Sequence, residues 1–293
     1  MHEYSVGIPV RNEEGTLETC VQSVLEQSLL PRHIYICLNG SNTATRVLAE
    51  QLSIKHKSIN LLESSPGKAH AWNRITEKSE TNTILFTDGD AYLSPDAGAQ
   101  MILALENNSE CCVSGGNLFY MKPVHDFLLK PLFKNKCNKI YAVKNLSGAN
   151  YMIKRDELLE LAHRHSVDLM PTDIIHDDAL VGAIARVEKK FIAANTYAKV
   201  YPVSTIGDYV NLMMRLRKGY IQLEEKYPEL FYNKHTAGVD GSRTHNIASY
   251  SIVQSITQPC VDFVLKLGSK KTETCWKESK STKPTCIRYE TTN

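Results

Sequence analysis

The feature that most constrains this chain is a rhythm. Short apolar runs alternate with helix-spaced apolar positions from the N-terminus to residue 90. Residues 4–9 read as a strand ending in a proline turn. Residues 16–27 place Leu17, Cys20, Val21, Val24 and Leu25 at helical spacing, with Thr16 positioned as a cap. Residues 33–38 read as a second strand followed by the turn Asn39-Gly40-Ser41-Asn42, and residues 45–54 as a second helix. A third strand is expected over 59–63, a helix opened by Pro66-Gly67 over 68–76, and a fourth strand over 83–87 that runs into Asp88-Gly89-Asp90. A parallel strand is reached only by a crossover, so this alternation predicts an α/β fold with a mainly parallel central sheet flanked by helices. Ligands of such sheets sit beyond the carboxyl ends of the strands. Arg11-Asn12-Glu13-Glu14, Asn39-Gly40-Ser41-Asn42 and Asp88-Gly89-Asp90 all fall at that edge, which points to a nucleotide site.

The second half is less regular. Residues 112–120, 149–153 and 192–201 read as strands; residues 156–165, 177–189 and 205–227 read as helices. A C-terminal helical extension is expected over 221–268. Residues 269–293 are Lys/Thr/Ser-rich and poor in apolar side chains, which predicts a loose tail. Hydrophobic residues at 42% and charged residues at 23% exclude disordered and fibrous classes. A net charge of +2 lacks the basic excess of a nucleic-acid binder, so no nucleic-acid partner is expected. The eight cysteines contain no CxxC pair, which argues against a zinc knuckle and for free thiols in a reducing compartment. The N-terminus carries no basic-then-apolar leader and no run of about 20 apolar residues occurs, so a cytoplasmic protein is expected. Residues 127–133 and 247–268 are candidates for peripheral contact with a membrane surface, packing against the enzyme body being the other reading.

Several clusters carry chemistry. Asp88 and Asp90 flank Gly89 after a buried strand; hard oxygen ligands at that spacing suit Mg2+ or Mn2+ holding a diphosphate, although Asp and Gly also make plain turns. Asp177 and Asp178 open an apolar helix, where a carboxylate serves either as a general base or as a complement to the helix dipole. Pro66-Gly67-Lys68 offers a helix N-terminus and a lysine to a phosphate, or simply starts a helix. Ser147-Gly148-Ala149-Asn150 is a small-residue turn that lines an acceptor pocket or is an ordinary β-turn. Arg215, Arg217 and Lys218 read as a solvated basic face, with diphosphate contact as the alternative. His176, His235 and His245 are further ligand candidates of a residue type more often structural.

Taken in order, these motifs resemble glycosyltransferase family 2, whose members are inverting enzymes of the GT-A fold. The resemblance spans residues 4–220 and rests on Ile8-Pro9-Val10-Arg11-Asn12-Glu13-Glu14, Asn39-Gly40-Ser41, Gly67-Lys68 with Ala71-Trp72-Asn73, Asp88-Gly89-Asp90, Gly148-Ala149-Asn150, and Asp177-Asp178 with Leu180 and Arg186. It implies a transferase domain over 1–220, divided into a nucleotide-sugar half (1–115) and an acceptor half (116–220). Pro9, Val10, Arg11, Asn12, Glu14, Asn39, Lys68, Asp88 and Gly89 would then contact the donor, Asp88 and Asp90 a divalent metal (Mn2+ or Mg2+), and Gly148, Ala149 and Asn150 the acceptor. Asp178 would be the base, with Asp177 its neighbour or substitute. The expected reaction moves one sugar from a nucleoside-diphosphate sugar to an acceptor hydroxyl on a glycan, a lipid-linked glycan or a small molecule. Leu38 stands where the family usually carries a base-contacting Asp, and the glutamine-and-tryptophan motif of processive synthases is replaced by Leu212-Met213-Met214-Arg215-Leu216, which predicts single transfer. A nucleotidyltransferase and a catalytically silent nucleotide-sugar binder are the competing readings.

Overall fold

The computed structural model describes residues 3–121, 140–141, 146–167, 170–203 and 205–232. The tail, the segments 127–133 and 247–268, most of the C-terminal extension, His235, His245, and Cys137, Cys260, Cys275 and Cys286 lie outside them. Nine strands form one sheet in the order β3-β2-β1-β4-β8-β6-β9-β5, with β7 (Ile140–Tyr141) paired to β6 (Val113–Tyr120). The other strands are β1 (Tyr4–Val10), β2 (His33–Leu38), β3 (Ile59–Glu63), β4 (Thr83–Phe86), β5 (Tyr92–Leu93), β8 (Tyr151–Lys154) and β9 (Phe191–Val200).

The expectation of a parallel sheet holds across β3-β2-β1-β4. Beyond that half the sheet is mixed: β8 runs antiparallel to both β4 and β6, whereas β6 and β9 are parallel. β4 is therefore the seam, with Phe86 paired to Gly7 on one side and to Tyr151 on the other.

Alternation along the strands feeds two apolar layers. Val6, Ile8, Val10, Ile34, Ile36 and Leu38 pack with α1 (Leu17–Leu25), α2 (Thr43–Lys55) and α4 (Ala97–Asn107) on one face. Tyr35, Cys37, Ile84 and Phe86 pack on the other with α3 (Lys68–Lys78), α5 (Arg155–Arg164) and α6 (Asp177–Val187). Each fully buried aliphatic side chain contributes roughly 1.5–3 kcal/mol. Two further helices follow, α7 (Ile206–Lys226) and α8 (Pro228–Tyr232). The boundary expected at residue 220 falls inside α7, which continues unbroken to Lys226.

Local details decide where the loops point. α2 is capped by Asn42, whose side-chain oxygen accepts the Thr45 N–H at 2.8 Å. Thr16 occupies the N-cap of α1 but does not cap with its side chain; its hydroxyl donates to Glu13 at 3.0 Å instead. Gly67, at φ 130°, turns the chain into α3 and so places Lys68 at the helix start. Among the described residues Cys20, Cys37, Cys111 and Cys112 are free thiols, and all are buried.

Candidate active site

The carboxyl edge of the parallel half holds residues expected to contact the donor. The Val10 carbonyl accepts the Asn39 backbone N–H and side-chain amide, each at 3.0 Å, and the Ser41 hydroxyl at 2.8 Å, which locks the β1 and β2 exits together. Asn12, in the left-handed region at φ 50°, accepts the Asn42 N–H at 2.7 Å. Glu14 accepts Thr45 Oγ1 at 2.8 Å and the Asn42 amide. These two side chains brace the rim as well as standing on it. Pro9 is buried within β1, and Gly89 lies against Glu13, where a Cβ would sit 3.1 Å from Glu13 Cγ.

Asp88 leaves β4 two residues past Phe86. Thr87 fixes that exit: its N–H donates to the Gly7 carbonyl at 3.1 Å and its hydroxyl to the Ala149 carbonyl at 2.8 Å. The second bond ties the Asp88 turn directly to Gly148-Ala149-Asn150. Lys68 then reaches in from α3, with Nζ 2.8 Å from Asp88 Oδ1 and 3.2 Å from Asp177 Oδ2. Residues from β4, α3 and α6 thus meet at one ammonium. Burial alone would lower the Lys68 pKa, but Asp177, Asp88 and Asp178 outweigh it and hold the lysine charged. Gly148 makes the meeting possible: a Cβ there would lie 2.7 Å from Lys68 Nζ and 3.1 Å from Asp88 Oδ2.

The two α6 carboxylates differ. Asp177 is 5% exposed, paired with Lys68, and accepts the Tyr151 hydroxyl at 3.4 Å. Tyr151 in turn accepts Trp72 Nε1–H at 2.8 Å. Beneath them Trp72, Phe86 and Tyr151 stack successively, with centroids 5.1 and 5.4 Å apart. Asp178 is 24% exposed, with Oδ2 accepting the Gly148 N–H at 2.9 Å and Oδ1 the Ala179 N–H at 2.8 Å. Burial pushes both carboxyls above the ordinary range and Lys68 pulls both back; the two N–H bonds further favour ionised Asp178.

Arg215 is the residue that sequence reasoning undervalued. Arg217 and Lys218 are solvated, as expected, but Arg215 is largely withdrawn from water. Burial lowers its pKa, opposed by the charges of Asp88, Asp178, Asp90 and Asp177. Its charge thus lies within the field of the same carboxylates as Lys68. The available signal was the stripe Arg215, Gly219, Gln222 and Lys226, spaced on one helical face. That stripe grips the chain leading into α6. Gln222 accepts the Ile175 N–H at 3.0 Å and donates to the Asp173 carbonyl at 2.6 Å, and Lys226 pairs with Asp173. His176 lies under Gly219, where a Cβ would come within 2.0 Å of its ring, and its pKa is lowered to about 4 by burial and then by Arg215. Asn150 is fully buried against Gly116 and donates to the Asn117 carbonyl at 3.0 Å, so it supports the sheet behind the turn.

The donor set fits a divalent cation shared with a ligand. Asp88 and Asp90 are oxygen donors on one turn, both partly exposed. Among the described residues no group of three His, Cys, Asp or Glu side chains could hold a cation alone, so phosphate oxygens and water would complete the shell, as is usual for Mg2+.

Solved structures share this helix-flanked sheet. A mannosyltransferase from Pyrobaculum calidifontis, in complex with GDP-Man and Mn2+, superposes with TM-score 0.58 at 18% identity, covering 91% of this chain and 76% of that one. Glucosyl-3-phosphoglycerate synthase of M. tuberculosis gives TM-score 0.53 at 17% identity, covering 77% and 81%. The S. aureus protein TarS (residues 1–349), in complex with UDP, gives 0.51 at 16% identity, covering 88% and 78%. In sequence, the hyaluronan synthase of Streptococcus pyogenes is 30% identical over 129 residues, 39% of this chain, and the match spans 30% of that protein's length. The profile of glycosyl transferase family 2 matches residues 5–160. The chain belongs to glycosyltransferase family 2. α6 and α7 lie beyond the matched residues.

Proposed function

We propose that this enzyme moves a single sugar, with inversion, from a nucleoside-diphosphate sugar to an acceptor hydroxyl, with Asp178 as general base and a divalent cation at Asp88 and Asp90. The observation that carries the reading is the convergence of Asp88 from β4 and Asp177 from α6 on Lys68, with Asp178 beside them on the Gly148 N–H. Asp178 is the base because it is the more exposed of the pair, while Asp177 is taken up by Lys68 and Tyr151. Burial raises its proton affinity, which favours removal of the hydroxyl proton. The acceptor oxygen bonds to the anomeric carbon while its proton passes to Asp178. The bond from that carbon to the diphosphate breaks, and the leaving oxygen keeps the electron pair. Lys68 and Arg215 are placed to receive that negative charge. The cation, when bound, neutralises the same diphosphate as a Lewis acid. The rim from Pro9 to Glu14, with Asn39 and Gly89, cradles the nucleotide, and the Gly148-Ala149 backbone faces the acceptor. A hydroxyl on a glycan, a lipid-linked glycan or a small molecule meets this chemistry. The catalytic unit includes α7 to Lys226, because that helix clasps the approach to Asp178.

Thermal shift with a panel of nucleotide sugars and Mn2+ identifies the donor, since ligands that bind the native state raise its stability. With that donor, Asp178→Asn is expected to keep donor binding and lose transfer by about 10²–10⁴. The anomeric configuration of the product tests inversion. Near-native transfer by Asp178→Asn removes the base assignment, and retained configuration removes the direct displacement.

A further inference from the structure

The two carboxylates of α6 are held by different kinds of donor. Asp178 rests on the backbone N–H groups of Gly148 and Ala179, whereas Asp177 meets side chains, Lys68 from α3 and Tyr151 from β8. Both of these address one oxygen: Lys68 Nζ lies 3.2 Å and the Tyr151 hydroxyl 3.4 Å from Asp177 Oδ2. The direction of the tyrosine bond is set one residue further back. An indole N–H donates and never accepts. Trp72 Nε1–H therefore places its hydrogen on the Tyr151 oxygen, at 2.8 Å, and the hydroxyl hydrogen is left for the carboxylate. Burial, with the charges of Asp177 and Asp178, keeps that hydroxyl protonated and so a donor. Trp72 and Tyr151 are fully buried and both stack against Phe86, which fixes their rings.

We propose that Tyr151 is a positioning residue: with its hydrogen aimed by Trp72, it fixes the Asp177 carboxylate, and through it the Lys68 ammonium, in the orientation that meets the leaving diphosphate. This rests on the reading of Lys68 as a recipient of the diphosphate charge. Asp177 then serves as a fixed anion and takes no proton from the acceptor, while Asp178 keeps the role of base. Without the hydroxyl the carboxylate is free to turn about Cβ–Cγ, and the ammonium paired with it leaves the preorganised geometry on which charge stabilisation depends. A 3.4 Å contact is long for an O–H···O bond, so what it supplies is direction, and the expected rate effect is moderate.

Steady-state kinetics on the full chain, with the donor found by thermal shift, test this. Tyr151→Phe keeps the ring on Phe86 and removes the hydroxyl; kcat is expected to fall about tenfold with donor KM near its native value. Because that variant leaves the Trp72 N–H buried without its acceptor, Trp72→Phe/Tyr151→Phe is the variant that strands no donor, and it is expected to show the same low kcat. In an Asp177→Asn background, removing the hydroxyl should lower kcat no further, because its target is gone; a merely structural hydroxyl would lower kcat alike in both backgrounds. Native kcat in the folded Trp72→Phe/Tyr151→Phe chain overturns the inference, and so does an additive fall in Asp177→Asn/Tyr151→Phe. Lys68→Met separates the inference from the reading beneath it. Native kcat in Lys68→Met removes the lysine from the reaction and the inference with it, whereas a large loss there beside native kcat in Tyr151→Phe removes the inference alone.

Discussion

The two halves of the sheet reach the same site by different means. In the parallel half, β1, β2, β3 and β4 are joined by backbone ladders, and their exits hold one another through the Val10 carbonyl and Thr87. Beyond that half, the approach to Asp178 is held by a clasp of side chains: Gln222 on Asp173 and Ile175, Lys226 on Asp173, and Gly219 over His176. A ladder is a cooperative scaffold whose loss unfolds the unit. A clasp can loosen while the scaffold stands. The difference teaches that donor binding and transfer should be separable by mutation, with damage to the first half removing both and damage to the second removing transfer first.

The largest expected effect breaks the scaffold. Leu85→Ala in β4, at 0% exposure, should cost about 2–5 kcal/mol in chemical denaturation and lower donor binding and transfer together. Loss of transfer with donor affinity and stability intact would contradict the scaffold role. Next comes the clasp. Gly219→Ala forces a methyl against the His176 ring and should cost about 1–3 kcal/mol, with kcat reduced and donor KM near its native value. Equal loss in both parameters would show that the two halves are not separable at this point.

The smallest effect is a titration. The His176 pKa lies at about 4 in the folded chain, below the ordinary His value of about 6.5, so the unfolded chain binds the proton first as pH falls. Stability is therefore untouched well above pH 6.5 and declines as pH falls from about 6.5 towards 4. The buried Asp177 and Asp178, with raised pKa values, act in the opposite sense, so the comparison is made with His176→Asn. Between pH 7 and pH 5.5 the native chain should lose about 1 kcal/mol relative to that variant. Parallel pH profiles for the two would place no titration at His176.

The parallel half was legible because its signals are local: apolar periodicity, the turn Asn39-Gly40-Ser41-Asn42 between a strand and a helix, and Asp88-Gly89-Asp90 after a strand. α4 went unread because Ala97-Gly98-Ala99-Gln100-Met101 is built of small and apolar residues and its Asp96 cap makes no side-chain cap bond. β5 and β7 have two residues each, too short for any period. Leu212-Met213-Met214-Arg215-Leu216 signals a helix but not what faces it; only folding shows that Arg215 is partly withdrawn into the field of the carboxylates while Arg217 and Lys218 are exposed. The resemblance alone pointed to Asp178 as base; the contacts that set Asp177 apart from it, with Tyr151 and Lys68, are remote in the chain and had no local signal.

β4 is only four residues long, yet hydrogen bonding grips it from both flanks. The first acid of the site thus follows closely on a strand that is paired on both sides. Insertions elsewhere along the rim can lengthen or reshape the walls that choose sugar and acceptor while this fixed point stays put, which leaves substrate preference free to drift without rebuilding the reaction centre.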